Sequence, residues 1–186
     1  MSSQIPVNGV NKEVLGAVME SIKNNPDTAR ITFSVKTEWQ GDGFKITSTG
    51  KDFRIGGQQI QRTNGFTLKH DFPEQMGGRS EGPTVCESCM ASLSTCIAQT
   101  IVTYATMMGV QLDGIRIDTE GDVDIRGFTG LSQDVRPGAQ EFRAKVHLES
   151  KSATKEQLDK LYELGKMFSP AMDTVTHGTS VKTSLV

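Results

Sequence analysis

The stretch Thr84-Val85-Cys86-Glu87-Ser88-Cys89-Met90-Ala91-Ser92-Leu93-Ser94-Thr95-Cys96-Ile97 opens the longest uncharged run of the chain, 25 residues from Ser88 to Leu112. Thr84 followed three residues later by Glu87 is a capping box. Gly109 suits the residue just past a helix end, so the spacing predicts one helix from Thr84 to about Gly109. A run of this length could cross a bilayer. Its composition argues otherwise: Ser88, Ser92, Ser94, Thr95, Gln99, Thr100, Thr103, Thr106 and Gln111 are polar, and no basic cluster flanks the run. A helix that is small, apolar or hydroxylated all round is expected to be buried on every side by protein. A sheet or a partner subunit has to enclose it.

All three cysteines of the chain lie in this helix. With Thr84 as cap, Cys86 and Cys89 occupy the first turns, where unsatisfied amides and the helix dipole favour a thiolate. Cys96 lies two turns beyond Cys89 on nearly the same face, about 10 Å away by helical rise. A disulfide needs Cα atoms closer than about 7 Å, so Cys89 and Cys96 cannot pair within an intact helix. Cys86 and Cys89 can form a possible redox pair, marginally. Cysteine is also a common small core residue, which is the plain reading of Cys96 taken alone. His70, His147 and His177 show no ligand spacing with the thiols, so neither a metal nor a cofactor is expected.

Outward from the central helix, Val14, Leu15, Val18 and Ile22 recur at helical spacing over Asn11–Asn24, after a Val10 placed to staple onto Leu15. Asn25-Pro26 ends that segment. Ile31, Phe33 and Val35 alternate, Gly41-Asp42-Gly43 marks a hairpin, and Phe44, Ile46 and Ser48 alternate again. Phe53 and Ile55 predict a strand stopped by Gly56-Gly57, and Phe66, Leu68, His70 and Phe72 another, ahead of a Gly- and Pro-rich loop from Pro73 to Pro83. Beyond the central helix, Ile115 and Ile117 are expected to pair with Val123 and Ile125. Phe142, Ala144, Val146 and Leu148 form a further strand. Thr154 and Gln157 cap a helix with Leu158, Leu161, Tyr162 and Phe168 on one face, ended by Ser169-Pro170, and Ser180–Val186 carries a weak strand pattern. The pattern predicts a single α+β domain of antiparallel sheet wrapped around helices.

The 186 residues suffice for a core without disulfide staples. A net charge of −2, from 20 Lys+Arg against 22 Asp+Glu, disfavours a polyanion-binding surface, so no nucleic-acid partner is expected. The odd cysteine number, and an N-terminus lacking a basic-then-apolar segment, predict free thiols in a cytoplasmic setting away from any membrane.

The order of elements, together with several motifs, resembles the OsmC/Ohr family of osmotically inducible and organic hydroperoxide resistance proteins. The resemblance is carried by Glu38-Trp39-Gln40-Gly41-Asp42, Gly82-Pro83-Thr84, Ala91-Ser92-Leu93-Ser94-Thr95-Cys96, and Ser169-Pro170-Ala171-Met172 before a terminal strand. It covers residues 28–186 as an OsmC-like domain and leaves residues 1–27 as an N-terminal helical extension. The family implies an intertwined homodimer whose sheets enclose two central helices. It also implies a thiol-dependent peroxidase acting on organic hydroperoxides. Mapped by that resemblance, the peroxidatic cysteine is Cys96, and the second family cysteine, which captures the sulfenic acid, falls on Ser169. The family's helix-entry carboxylate aligns with Cys86, with Glu87 one place later. Its activating arginine has candidate counterparts in Lys69, His70 and Arg79.

A serine at 169 cannot capture a sulfenate, so the resemblance implies an external thiol as the resolving reductant. Two alternatives stand beside this reading. Cys86 and Cys89 could act as a redox switch, and the protein could be a non-catalytic binder of a hydrophobic ligand.

Overall fold

The computed structural model describes residues 6–186, which divide into two compact units. One comprises Glu13–Ser88; the other comprises Cys89–Val186 together with the residues up to Lys12. The boundary falls inside the central helix.

In the first unit, α1 (Lys12–Asn24) is followed by a short 3-10 turn and six strands: β1 (Ile31–Phe33), β2 (Lys36–Trp39), β3 (Ile46–Gly50), β4 (Phe53–Ile55), β5 (Gln58–Ile60) and β6 (Phe66–His70). They form two antiparallel three-stranded sheets, ordered β1-β4-β5 and β2-β3-β6. The hairpin between β2 and β3 is wider than expected. Gln40 N–H donates to Lys45 O at 3.0 Å, so the turn consumes Phe44, which stacks on Phe72 instead. Gly56-Gly57 does not stop the chain but turns it, both residues at positive φ, into the hairpin of β4 and β5. The apolar stripe of α1 has no buried residue within the described structure.

The central helix α2 runs from Val85 to Met108, and Gly109 at φ 71 closes it, with Val110 N–H reaching Ala105 O at 2.8 Å. It buries one face only. Leu93, Ile97, Ile101 and Ala105 are inside, whereas Cys89, Ser92, Thr95 and Gln99 are exposed. The expected burial on every side is therefore not met within one chain. By length and hydropathy alone α2 could cross a membrane, yet its apolar face is the core of this unit.

Partnering that face are β7 (Gly114–Asp122), β8 (Glu141–Glu149) and α4 (Lys155–Phe168). The expected pairing of Ile115 and Ile117 with Val123 and Ile125 is corrected. β7 pairs with β8 over nine positions, and Asp124 instead caps a single helical turn, α3 (Ile125–Phe128). The Thr154–Gln157 capping box is present, and α4 ends at Phe168. Pro170 then starts α5 (Pro170–His177), where its missing N–H is no loss. The expected terminal strand is absent: Ser180–Val186 has no regular structure.

Gly165 sets the approach of α4 to α2. A Cβ there would lie 2.5 Å from Ile101 Cγ1 and 2.9 Å from its Cδ1, and Ile101 is fully buried.

Candidate functional site

Cys96 sits midway along α2 between the buried Leu93 and Ile97 and is itself half-buried and in no disulfide. Its Sγ accepts a hydrogen bond from Ala171 N–H at 3.4 Å. That amide is one of the first-turn donors of α5, which no intrahelical carbonyl can satisfy. The positive end of a helix therefore faces the sulfur.

Ser169 builds this end. It is 1% exposed, and its Oγ accepts from Met172 N–H at 3.3 Å as the cap of α5. Two sequence-selected residues, Cys96 and Ser169, are thus brought together through three consecutive positions, 169 to 171. Ala171 was not selected, because a backbone donor leaves no side-chain signature. The Ser-Pro pair, read as a cap followed by proline at the first helical position, is the signal that could have located it. Ser169→Ala is expected to lower stability by about 1 kcal/mol and to change the alkylation rate of Cys96 by iodoacetamide. A thermal melt and a timed mass spectrum measure the two effects.

The remaining candidates belong to the other unit, apart from Cys89, which is exposed. Glu87 is a capping carboxylate: it accepts from Thr84 N–H at 2.7 Å and from Thr84 Oγ1 at 2.8 Å, while Glu87 N–H donates back to Thr84 Oγ1 at 3.2 Å. The Thr84 amide, then its hydroxyl, hold the Glu87 carboxyl below its ordinary range. A carboxyl lowered by folding adds stability at neutral pH that is lost as the pH falls through its folded value. Glu87→Gln is therefore expected to flatten the acid side of the stability profile, and Thr84→Ala to cost about 1 kcal/mol, both read by urea titration across the acid range.

Arg79 is held in place. Its guanidinium spans Asp42, with Nη1 to Oδ2 at 2.6 Å and Nη2 to Oδ1 at 2.9 Å. Arg79 draws the Asp42 carboxyl below its usual range and is itself raised. His70 Nε2 lies 3.0 Å from Ser88 Oγ, and Lys69 is exposed. Cys86 is half-buried and in no disulfide.

The sequence reading overlooked Asp71, a carboxylate 3% exposed that accepts the N–H groups of Phe72 at 2.8 Å, Arg79 at 3.0 Å and Glu81 at 3.3 Å. Burial pushes its carboxyl up, but the three amides outweigh that, and the net direction is down. The Pro73–Pro83 loop is thereby folded over Asp71. Gly78 and Gly82 permit it, since a Cβ at Gly78 would overlap Phe72 O and one at Gly82 would lie 2.5 Å from Lys69 O. Among the described residues no cluster of three or more His, Cys, Asp or Glu is arranged to hold a metal.

A long helix bearing a half-buried thiol, packed on an antiparallel pair and met by the start of a second helix, defines a class of small α+β proteins with a thiol at the core edge. Residues 77–184 match the family model of OsmC-like protein, more than half of the chain, and the chain belongs to that family. Solved structures share the fold at low identity. The OsmC like protein from Mycoplasma pneumoniae has 13% identity over 77% of this chain and 86% of its own, with a TM-score of 0.59. An organic hydroperoxide resistance protein OsmC from Legionella pneumophila has 12% identity over 79% and 90%, with a TM-score of 0.53. An OsmC-like protein of unknown function from Vibrio cholerae has 12% identity over 77% and 93%, with a TM-score of 0.52. No curated protein matches the chain.

Proposed function

We propose that this OsmC-like protein is a one-cysteine thiol peroxidase in which Cys96 reduces organic hydroperoxides and an external thiol regenerates it. The observation that supports this most is the Ala171 N–H on Cys96 Sγ, supplied by a helix that Ser169 caps. A thiolate at Cys96 attacks the outer oxygen of the hydroperoxide. The O–O bond breaks, sulfur is oxidised to a sulfenic acid, and the alkoxide leaves as alcohol after taking up a proton. A small thiol then attacks the sulfenic sulfur, water departs, and a mixed disulfide remains. A second thiol equivalent releases Cys96 as thiol and carries away the disulfide.

Ser169 holds the site that the resemblance assigns to a resolving cysteine, so its role here is to position α5 rather than to exchange sulfur. The uncharged, exposed face of α2 supports a homodimer in which a second copy covers it. A cytoplasmic location suits a protein that relies on a thiol reductant.

Purified protein supplied with cumene hydroperoxide and a dithiol is expected to consume peroxide catalytically, and absence of turnover would overturn the proposal. A second reading rests on an apolar groove of about 900 Å³ beside α2, whose lining includes Val10, Ala98, Val102, Leu112 and Ile115. Should turnover be absent and a lipid be extracted from the native protein, ligand binding replaces peroxidase chemistry.

A further inference from the structure

An oxidised Cys96 lacks the partner that disulfide chemistry requires. Cys89, the nearest thiol in the sequence, lies two turns away on the same helix, too far to pair, and position 169 is a serine. A sulfenic acid has a second outlet, because it also condenses with a backbone nitrogen to give a sulfenamide.

The first turn of α5 offers one such nitrogen, in the same compact unit as Cys96. Pro170 has no N–H, and Met172 N–H is taken by Ser169 Oγ at 3.3 Å. Ala171 N–H, between them, is turned to the sulfur, 3.4 Å from Cys96 Sγ. Reacting atoms held about 3–3.5 Å apart are within closing range. As a first-turn donor, this amide has no carbonyl partner within the helix, so a bond from its nitrogen to sulfur breaks no helical hydrogen bond.

An amide nitrogen is a poor nucleophile, since its lone pair is shared with its own carbonyl. For Ala171 that carbonyl belongs to Pro170, and Thr174 Oγ1 donates to it at 2.8 Å. A donor fixed on the oxygen stabilises the negative charge that gathers there as the N–H proton leaves. Thr174 thus acts on the nitrogen through the peptide unit, as a positioning residue one turn along α5.

We propose that the sulfenic acid formed at Cys96 condenses with the amide nitrogen of Ala171, giving a sulfenamide that ties α2 to α5 and holds the oxidised thiol until reductant arrives. The proposal rests on the peroxidase reading of Cys96 and supplies the step that a second cysteine would otherwise perform. The nitrogen attacks the sulfur, the S–O bond breaks, and the departing hydroxide takes the amide proton away as water. No oxidant beyond the hydroperoxide is consumed. An external thiol then attacks the sulfur, the S–N bond breaks, and the nitrogen regains its proton. The resulting mixed disulfide is reduced by a second thiol.

Cys86→Ser and Cys89→Ser combined leave Cys96 as the sole thiol, so an internal cross-link in that protein is not a disulfide. This chain is treated with a stoichiometric amount of cumene hydroperoxide, without thiol or dimedone, and its intact mass and tryptic peptides are recorded. The expected product has lost two hydrogen atoms, carries the Cys96 peptide joined to the Ala171 peptide, and reverts with dithiothreitol. Ala171→Pro, which removes the proton that has to leave, is expected to abolish the cross-link and leave Cys96 as an oxygenated acid. Thr174→Val is expected to slow cross-linking by about tenfold, the rate equivalent of one hydrogen bond, and Thr174→Ser to restore it. The proposal is overturned if Cys96 gains oxygen without cross-linking, which leaves the peroxidase reading intact, or if the cross-link persists in Ala171→Pro. A Cys96 that stays reduced overturns both.

Discussion

Cys96→Ala is expected to lower peroxide consumption by at least about a thousandfold, because a nucleophile removed from a covalent mechanism leaves only binding to assist water or free thiol. Its thermal midpoint should stay near that of the wild type, since Cys96 is half-buried and donates no hydrogen bond on which the core depends. Cys86→Ser and Cys89→Ser are the controls. Cys89 is exposed and neither thiol carries the proposed chemistry, so each variant should retain a rate within about twofold of wild type. A profile in which Cys86→Ser or Cys89→Ser abolishes turnover and Cys96→Ala does not would transfer the chemistry to the helix entrance.

The largest stability effect is expected at Gly165. Its missing Cβ is the gap through which Ile101 packs, with both residues buried in the interface of α2 and α4. Gly165→Ala should therefore cost about 1–3 kcal/mol through overpacking, against the small gain that alanine gives in an open helix. Ile101→Ala removes both obstructing atoms, Cγ1 and Cδ1. In a double-mutant cycle, the combined variant should be less destabilised than the sum of the two single changes, a coupling expected only for residues in contact. Urea unfolding of the four proteins measures it, and strict additivity would show that the approach relaxes elsewhere.

Features written in short windows were legible in the sequence. Both capping boxes, Thr84 with Glu87 and Thr154 with Gln157, are formed as their spacing implied, and Gly109 ends α2 by the expected left-handed turn. The alternation of Phe142, Ala144, Val146 and Leu148 is strand β8. What failed was long-range or backbone-borne. The partner of β7 lies beyond an excursion of eighteen residues from Val123 to Gln140, and no local pattern distinguishes that pairing from one with Val123 and Ile125. Pro170 reads equally as the end of one helix and the start of the next, and only the capping bond from Met172 N–H to Ser169 decides.

The same division runs through the candidate site. Cys96 and Ser169 could be selected as residues, whereas the amide of Ala171 that joins them could not. Arg79 was selected as a candidate activating residue, and its pairing with Asp42, far away in sequence, could not be read from the chain. Asp71 escaped notice because its partners are three backbone amides, and the loop that supplies them is shaped by glycines whose role appears only in three dimensions.

The central claim is that Cys96 is the atom oxidised by hydroperoxide, and it is tested most directly by trapping. The reduced protein is treated with a stoichiometric amount of cumene hydroperoxide in the presence of dimedone, digested, and sequenced by mass spectrometry. The account predicts a dimedone adduct on Cys96, with Cys86 and Cys89 still reduced. An unmodified Cys96 beside a Cys86–Cys89 disulfide would contradict it.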